Sequence, residues 1–211
     1  MRCLIALNGA PPSRDRLIAL KETADLTVAA DAGARIFLNN GMIPDVMLGD
    51  MDSSQGHELA DLCARLGSRV LFYRPKKDAT DGHLALDYCL GQGADGVTFV
   101  GACGGRTDMI LANIGLLLRA HRAGLKADAY GQTEYLRAFD GRLELSDGVP
   151  GRKVSFFPLD AAVTLSLAGG WLYPLPPTLL DRADTLTVSN EFTSSSASAL
   201  SDGACLMVRQ L

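Results

Sequence analysis

Six aspartates, Asp31, Asp50, Asp52, Asp78, Asp81 and Asp108, stand out in this 211-residue chain as groups whose spacing could do chemistry. The tightest pair lies in LGDMDSS (48–54), where Asp50 and Asp52 flank Met51. Successive side chains of an extended chain alternate faces, so i and i+2 point the same way. If the segment is extended, both carboxylates aim at one spot and Met51 points away into the core. Carboxylates gathered together raise one another's pKa unless a cation neutralises them. An oxygen-rich site of this kind suits Mg²⁺, which takes one or two carboxylates plus substrate phosphates. Cations stand beside these acids in the sequence. PKKDATD places Lys76 and Lys77 directly before Asp78, and GGRTD places Arg106 two residues before Asp108. Gly104 and Gly105 let the backbone approach a ligand at a helix start, where N–H groups face anions. GACGGR is nevertheless not a Walker A loop, because it lacks the GK[ST] ending. Carboxylates with Mg²⁺, plus Lys and Arg, are equipment for phosphoryl or pyrophosphoryl transfer from a nucleotide.

The elements that must position these groups follow from periodicity. CLIAL, LTVAA, DVMLGD, RVLFY, GVTFVGA and LKADAYG read as strands. Between them RDRLIALKETA, GARIFLNNG, GHELADLCARLG, DGHLALDYCLGQG and TDMILANIGLLLRAHRAG carry helical spacing. Alternating β and α with continuously apolar strands predicts a parallel sheet covered on both faces. Such sheets bind ligands outside the carboxyl ends of their strands, and that is where all the aspartate clusters fall. After about Tyr135 the pattern changes to LRAF, RLELS, RKVSFFPL, AVTLSLAG, DTLTVSNEF and ACLMVRQL, separated by Gly and Pro turns that include LPP. This predicts a small all-β unit, a sandwich or barrel. SSSASALS (194–201) reads as a turn or loop. The expected organisation is an α/β, Rossmann-like domain over 1–135 and a β-sandwich over 136–211.

Each acid also has an ordinary structural explanation. Asp78, Asp81 and Asp108 sit where acids cap a helix N-terminus, with Thr80 a further N-cap candidate. Asp31 fits a turn before Ala-Gly. A cap explains one of Asp50 and Asp52, and leaves the other without a role. Composition narrows the partners. A net charge of -4 with no basic stripe argues against a nucleic-acid partner. No apolar stretch approaches the roughly 20 residues a membrane helix needs. The start, MRCLIALNGAPPS, reads as a first strand entering a Gly-Pro loop rather than as a secretory leader. The cysteines, Cys3, Cys63, Cys89, Cys103 and Cys205, form no CxxC pair, which fits a reducing cytoplasm.

The segments AADAGA (29–34), PDVMLGDMDSS (44–54), KKDATDGHLAL (76–86), GGRTDMILAN (104–113), GGWLYPL (169–175) and VSNEF (188–192) resemble the signature segments of the thiamine pyrophosphokinase family. They occur in the family's order and span nearly the whole chain. The resemblance implies an N-terminal α/β nucleotide-binding domain, a C-terminal β-sandwich that binds thiamine, and a homodimer with active sites between subunits. It implies a Mg²⁺-dependent transfer of diphosphate from ATP to the hydroxyethyl oxygen of thiamine, with release of AMP. By position, Asp31, Asp50, Asp52, Asp78 and Asp81 resemble the acidic metal and nucleotide site, with Asp50, Asp52 and Asp78 as metal ligands. Lys77, Arg106 and Asp108 resemble its ATP contacts. Tyr173, Ser189 and Asn190 are similar to the residues that hold thiamine, whose cationic thiazolium favours an aromatic face. Trp171 reads as packing. The catalytic set implied is Asp52, Asp81 and Arg106, with either acid able to accept the hydroxyl proton.

Two residues depart from the family pattern. Ala32 stands where a glycine is usual, which predicts negative φ there. Met109 stands where the family has His, and a thioether neither donates nor titrates. Two other readings compete. A glycosyltransferase with an Asp-x-Asp metal site would explain the acids but not TDGHLAL or the β unit. A non-catalytic thiamine or nucleotide sensor has Met109 as its only support.

Overall fold

CLIA is apolar at every position, so a strand made from it must be covered on both faces. In the computed structural model, which describes residues 1–52, 56–74 and 78–211, β1 (Arg2–Ala6) buries Cys3, Leu4, Ile5 and Ala6 completely. Its neighbours are β2 (Leu26–Ala30) and β5 (Gly96–Val100), both parallel to it. The sheet continues through β3 (Val46–Gly49) to β4 (Arg69–Phe72) on one side and to β6 (Lys126–Tyr130) on the other. The strand order is therefore β6-β5-β1-β2-β3-β4. The chain winds outward from β1 in one direction, then returns to β5 and winds the other way. The reversal point lies between β1 and β5, and ligands of such sheets bind beyond the strand ends at that point.

Among the described residues, five α-helices cross over between strands: α1 (Arg14–Glu22), α2 (Ala34–Leu38), α3 (Gly56–Arg65), α4 (Asp81–Gly91) and α5 (Thr107–Arg122). The Ser13 side chain caps α1 by accepting from Arg16 N, and the Thr80 side chain caps α4 by accepting from His83 N at 3.2 Å. One core cluster packs Leu4, Leu17, Phe37, Met47, Met51 and Cys63 together. Asp45, which precedes β3, has a structural task. Its carboxylate accepts from both Thr27 N and Thr27 Oγ1, at 2.8 and 2.6 Å, and so ties β3 to β2. All five cysteines are buried free thiols. No helix among the described residues is long and apolar enough to cross a membrane.

The chain divides into two compact units, Met1–Gln132 and Thr133–Leu211. The second contains β7 (Glu134–Leu145), β8 (Lys153–Pro158), β9 (Ala162–Leu167), β10 (Leu175–Asp181), β11 (Asn190–Glu191) and β12 (Ala197–Gln210). Every pairing within it is antiparallel. β12 pairs along nearly its whole length with β7, and the register shifts between Ser201 and Cys205. On one side of that shift β12 also pairs with β9, and on the other with β8. Trp171 packs edge-on against Phe156 and tilts against Phe192, and its indole N–H donates to the Ser198 carbonyl at 2.7 Å. It is a packing residue, as its sequence context suggests.

Four readings of this region need correction. LRAF and RLELS form one strand, because β12 pairs with both, on either side of its register shift, and Gly141 (φ 61) lies opposite Ser201 where that shift begins. LPP begins β10, an edge strand, where proline's missing N–H costs no ladder bond. The Ser-rich segment enters β12, with Ala197, Ala199 and Ser201 buried in alternation. DTLTVSNEF is mostly turn and supplies only the two residues of β11.

Asp147 accepts from both terminal nitrogens of Arg209, at 2.8 and 2.7 Å, while that guanidinium lies 4.7 Å over the Tyr135 ring. The arginine holds the Asp147 carboxyl below the usual range. Because the Asp147 side chain is 62% exposed, screening limits the pair to about 1 kcal/mol or less. A depressed folded pKa gives stability above the unfolded value and loses it as pH falls through the folded one. Asp147→Asn is expected to cost about 0.5–1 kcal/mol at neutral pH and nothing in acid below the carboxylate range, measured by urea unfolding at both.

Candidate active site

A cavity of about 550 Å³ opens at the reversal point of the parallel sheet. Its walls are the loops that leave β1, β2, β3 and β5, together with the first turns of α4 and α5. The β1 and β5 loops are joined by backbone bonds. Leu7 N donates to Val100 O at 2.8 Å, Gly9 N to Gly101 O at 2.8 Å, and Ala10 N to Cys103 O at 2.7 Å. The approach is so close that a Cβ on Gly9 would lie 2.3 Å from Cys103 O and 2.4 Å from Gly101 O. Glycine is required there for space rather than for φ.

Asp31 leaves β2 in the left-handed region, with φ 45, which short polar side chains tolerate best after glycine. Ala32 is not among the positive-φ residues, so the strained conformation falls on the acid itself. Asp31 Oδ1 is buried and has no hydrogen-bond partner among the described residues. Burial pushes the Asp31 carboxyl up, and the nearby Asp81, Asp50 and Asp52 carboxylates add to that, against one favourable bond from the Ala32 N–H. Gly49, at the end of β3, shows how closely two of these acids approach. A Cβ there would sit 3.1 Å from both Asp31 Cβ and Asp81 Oδ1.

The segment after β3 is not extended, contrary to the alternation argument for Asp50 and Asp52. Met51 adopts φ 55 and Asp52 N donates to Asp50 Oδ1 at 3.3 Å, so the two residues form a turn. Met51 is 1% exposed and packs in the core cluster, as expected. The turn brings Asp52 to the cavity wall and leaves Asp50 near enough to raise the Asp31 carboxyl.

Gly104 (φ 83) and Gly105 (φ 87) carry the β5 loop to Arg106, directly before α5. Arg106 lines the cavity, yet its guanidinium is engaged by Asp108. Nε donates to Oδ1 at 3.1 Å and Nη2 to Oδ2 at 2.6 Å. This fork holds the Asp108 carboxyl below its usual range. Asp108 Oδ1 also accepts from Met109 N.

Asp31, Asp52, Asp81 and Arg106 thus converge on one cavity. Asp78 is exposed and lies outside the lining among the described residues, and Asp108 reaches it only through Arg106. Lys77 lies outside the described residues. Sequence reasoning overlooked Asn8, Gly9 and Asn113, which also line the cavity. Asn113 is buried and donates to the Ala102 carbonyl at 2.8 Å, so it braces the β5 loop from α5. Its position four residues after Met109, on the same helix face, was the available signal.

Among the described residues, no three His, Cys, Asp or Glu side chains stand ready to bind a metal by themselves. The donor set still fits Mg²⁺. Asp31 supplies a buried oxygen without a partner, Asp52 and Asp81 share the cavity, and this ion needs only one or two carboxylates when phosphates complete its shell.

In the second unit Tyr173 is 63% exposed, and Ser189 adopts φ 61 with its N–H donating to Ser155 Oγ at 3.0 Å. Asn190 is only 4% exposed, and its carboxamide is bonded to the backbone of Tyr173 and Glu191.

A parallel sheet that collects acids, glycine turns and an arginine around a cavity at its reversal point has the arrangement of α/β proteins that bind ligands at the carboxyl edge. Residues 17–128 match the family model described as thiamin pyrophosphokinase, catalytic domain, and the chain belongs to that family, whose members are transferases. A curated relative, thiamine pyrophosphokinase of Bacillus subtilis (strain 168), is 28% identical over 186 residues, covering 87% of this chain and 86% of its own. The crystal structure of thiamine pyrophosphokinase from Bacillus subtilis superposes with a TM-score of 0.84 at 26% identity, covering 100% of this chain and 99% of that one. The thiamin pyrophosphokinase from Candida albicans, at 16% identity and a TM-score of 0.82 over 100% of this chain and 88% of that one, shows the shared fold.

Proposed function

We propose that this protein transfers a diphosphate group from ATP to the hydroxyethyl oxygen of thiamine, giving thiamine diphosphate and AMP. Family membership supports the reaction class. The observation that carries the reading is the buried, unpartnered Asp31 oxygen among other carboxylates, in a cavity that also holds Arg106. Carboxylates that raise one another's pKa are costly to gather without a cation, so the cluster argues for a site that works with a charged ligand.

In this reading Asp50 and Asp52 would chiefly hold Mg²⁺, with Asp31 and Asp81 beside them and Asp78 at the periphery. Once bound there, the ion would neutralise charge on phosphate oxygens. Arg106 turns its fork from Asp108 to the triphosphate, and Lys77 assists it. Gly104 and Gly105 leave room for phosphate against the start of α5. Asp81 or Asp52 accepts the hydroxyl proton as the thiamine oxygen attacks the β-phosphorus in line with the departing AMP. Positioning and charge stabilisation account for most of the rate.

We read unit Met1–Gln132 as a Rossmann-like nucleotide-binding domain, and unit Thr133–Leu211 as a β-sandwich that binds thiamine, with Tyr173, Ser189 and Asn190 at the thiamine site. We also read the working enzyme as a cytoplasmic homodimer with active sites between subunits. The test of the reaction is to incubate the protein with thiamine, ATP and Mg²⁺ and separate the products. Thiamine diphosphate and AMP in equal amounts are expected. Thiamine monophosphate with ADP would overturn the proposal.

A further inference from the structure

The carboxamide of Asn190 has one oxygen with two lone pairs and two N–H donors. Both acceptor sites are used, by Tyr173 N at 3.0 Å and by Glu191 N at 2.8 Å. One donor is used as well, Nδ2 bonding to Tyr173 O at 2.8 Å. The residue is 4% exposed. A side chain so buried and so committed has little left to offer a ligand.

Its bonds have a clear mechanical result. Residues 170–173 run antiparallel to 190–193, with Thr193 N donating to Gly170 O and Leu172 N to Glu191 O, both at 2.9 Å. Trp171 and Phe192 form the bridge between those bonds. The backbone ladder cannot continue past Glu191, because Ser189 turns the chain with φ 61. The Asn190 side chain takes over the next rung and grips Tyr173 at both its N–H and its carbonyl. Pro174 follows with its φ fixed by the ring. Tyr173 is therefore clamped on both sides of its Cα while its ring stands 63% exposed.

We infer that Asn190 is a positioning residue for Tyr173, and that it serves thiamine binding through the direction it gives the tyrosine ring rather than by touching the substrate. The inference rests on the reading of Tyr173 as the aromatic group that receives the thiazolium cation. A clamped ring meets its cation without first losing backbone freedom. Loss of the clamp and loss of the ring should remove the same contribution.

The test is a double-mutant cycle on the thiamine KM of the intact enzyme, with Tyr173→Ala, Asn190→Ala and the pair. Each single change is expected to raise the thiamine KM about tenfold, with the ATP KM unmoved. The double variant should be no worse than Tyr173→Ala alone. Should Asn190→Ala not fold, Asn190→Ser enters the same cycle, because its short hydroxyl cannot grip both the N–H and the carbonyl of Tyr173 and it places no charge in the buried site. If the double variant instead shows the product of the two single effects, Asn190 contacts thiamine itself and the inference is overturned. A wild-type thiamine KM in Tyr173→Ala would instead remove the underlying reading of Tyr173, and the inference with it.

Discussion

Asp31→Asn is expected to abolish most activity, by about 10²-fold or more in kcat, and at the same time to stabilise the folded protein. Asparagine is the right replacement because it tolerates positive φ as aspartate does, so the backbone at φ 45 is not disturbed. What changes is the charge. The Asp31 carboxyl is pushed up first by burial and then by Asp81, Asp50 and Asp52, so the folded state disfavours its ionised form. A raised folded pKa in an acid means that stability is lost as pH rises from the unfolded pKa through the folded one. The variant escapes that loss. Its advantage should be absent in acid below the unfolded pKa of about 4, grow as pH rises through the folded pKa, and show as a higher Tm at neutral pH. Adding Mg²⁺ with ATP should raise the Tm of the wild type more than that of the variant, since ligand binding to the folded state stabilises it by mass action. Thermal melts at acid and neutral pH, beside a turnover assay, check all of this. An Asp31→Asn protein that is fully active, or less stable at neutral pH, would contradict the assignment of this acid to the site.

Gly9→Ala is the second large effect expected, and it acts through shape alone. The added methyl would lie 2.3 Å from Cys103 O and 2.4 Å from Gly101 O. Both obstacles are main-chain carbonyls, and they are the acceptors that tie the β1 loop to the β5 loop. No side chain can swing aside to relieve them. The β5 loop must move, and Arg106 is carried on it. A displacement near 1 Å at positioning groups costs about 10²-fold in rate, so a kcat/KM loss of that size is expected with ATP varied. Overpacking should cost about 1–3 kcal/mol in stability as well. Gly115→Ala is the control. That glycine lies within α5, where an added Cβ meets nothing within 4 Å, so the change should gain about 0.5–1 kcal/mol with activity retained. If Gly9→Ala turned over at the wild-type rate, the two loops would not be the rigid pair the bonding describes.

The parallel half of the molecule was readable because its physics is local. Strands covered on both faces must be apolar throughout, as in CLIA and VML, and helices between them must show a stripe. The positions of Asp31, Asp52, Asp81 and Arg106 followed from the rule that ligands sit beyond strand carboxyl ends. The turn at Met51 was not readable. Its left-handed backbone depends on Gly56, where a Cβ would lie 2.4 Å from the Met51 carbonyl, and no residue pattern announces such a fit. The antiparallel half was harder for a related reason. Small residues in 197–201 look like a loop until β7 and β9 flank them. Asn190 looked like a substrate ligand because its bonds to Tyr173, 17 positions away, are tertiary. Asp108 was read as an ATP contact, whereas here it occupies the fork of Arg106.

β12 sets an order of events during synthesis. β7, β8 and β9 each lean on it, and its far end, Gln210, pairs back with Glu134 at the start of the unit. Until that strand has left the ribosome, the earlier β strands lack their common partner and show unpaired edges, which are prone to stick to one another. The Met1–Gln132 unit makes no such demand, because its six parallel strands, β1 to β6, have all been made by Tyr130. The acid-lined unit can thus pair its parallel strands early, while β7, β8 and β9 wait for β12.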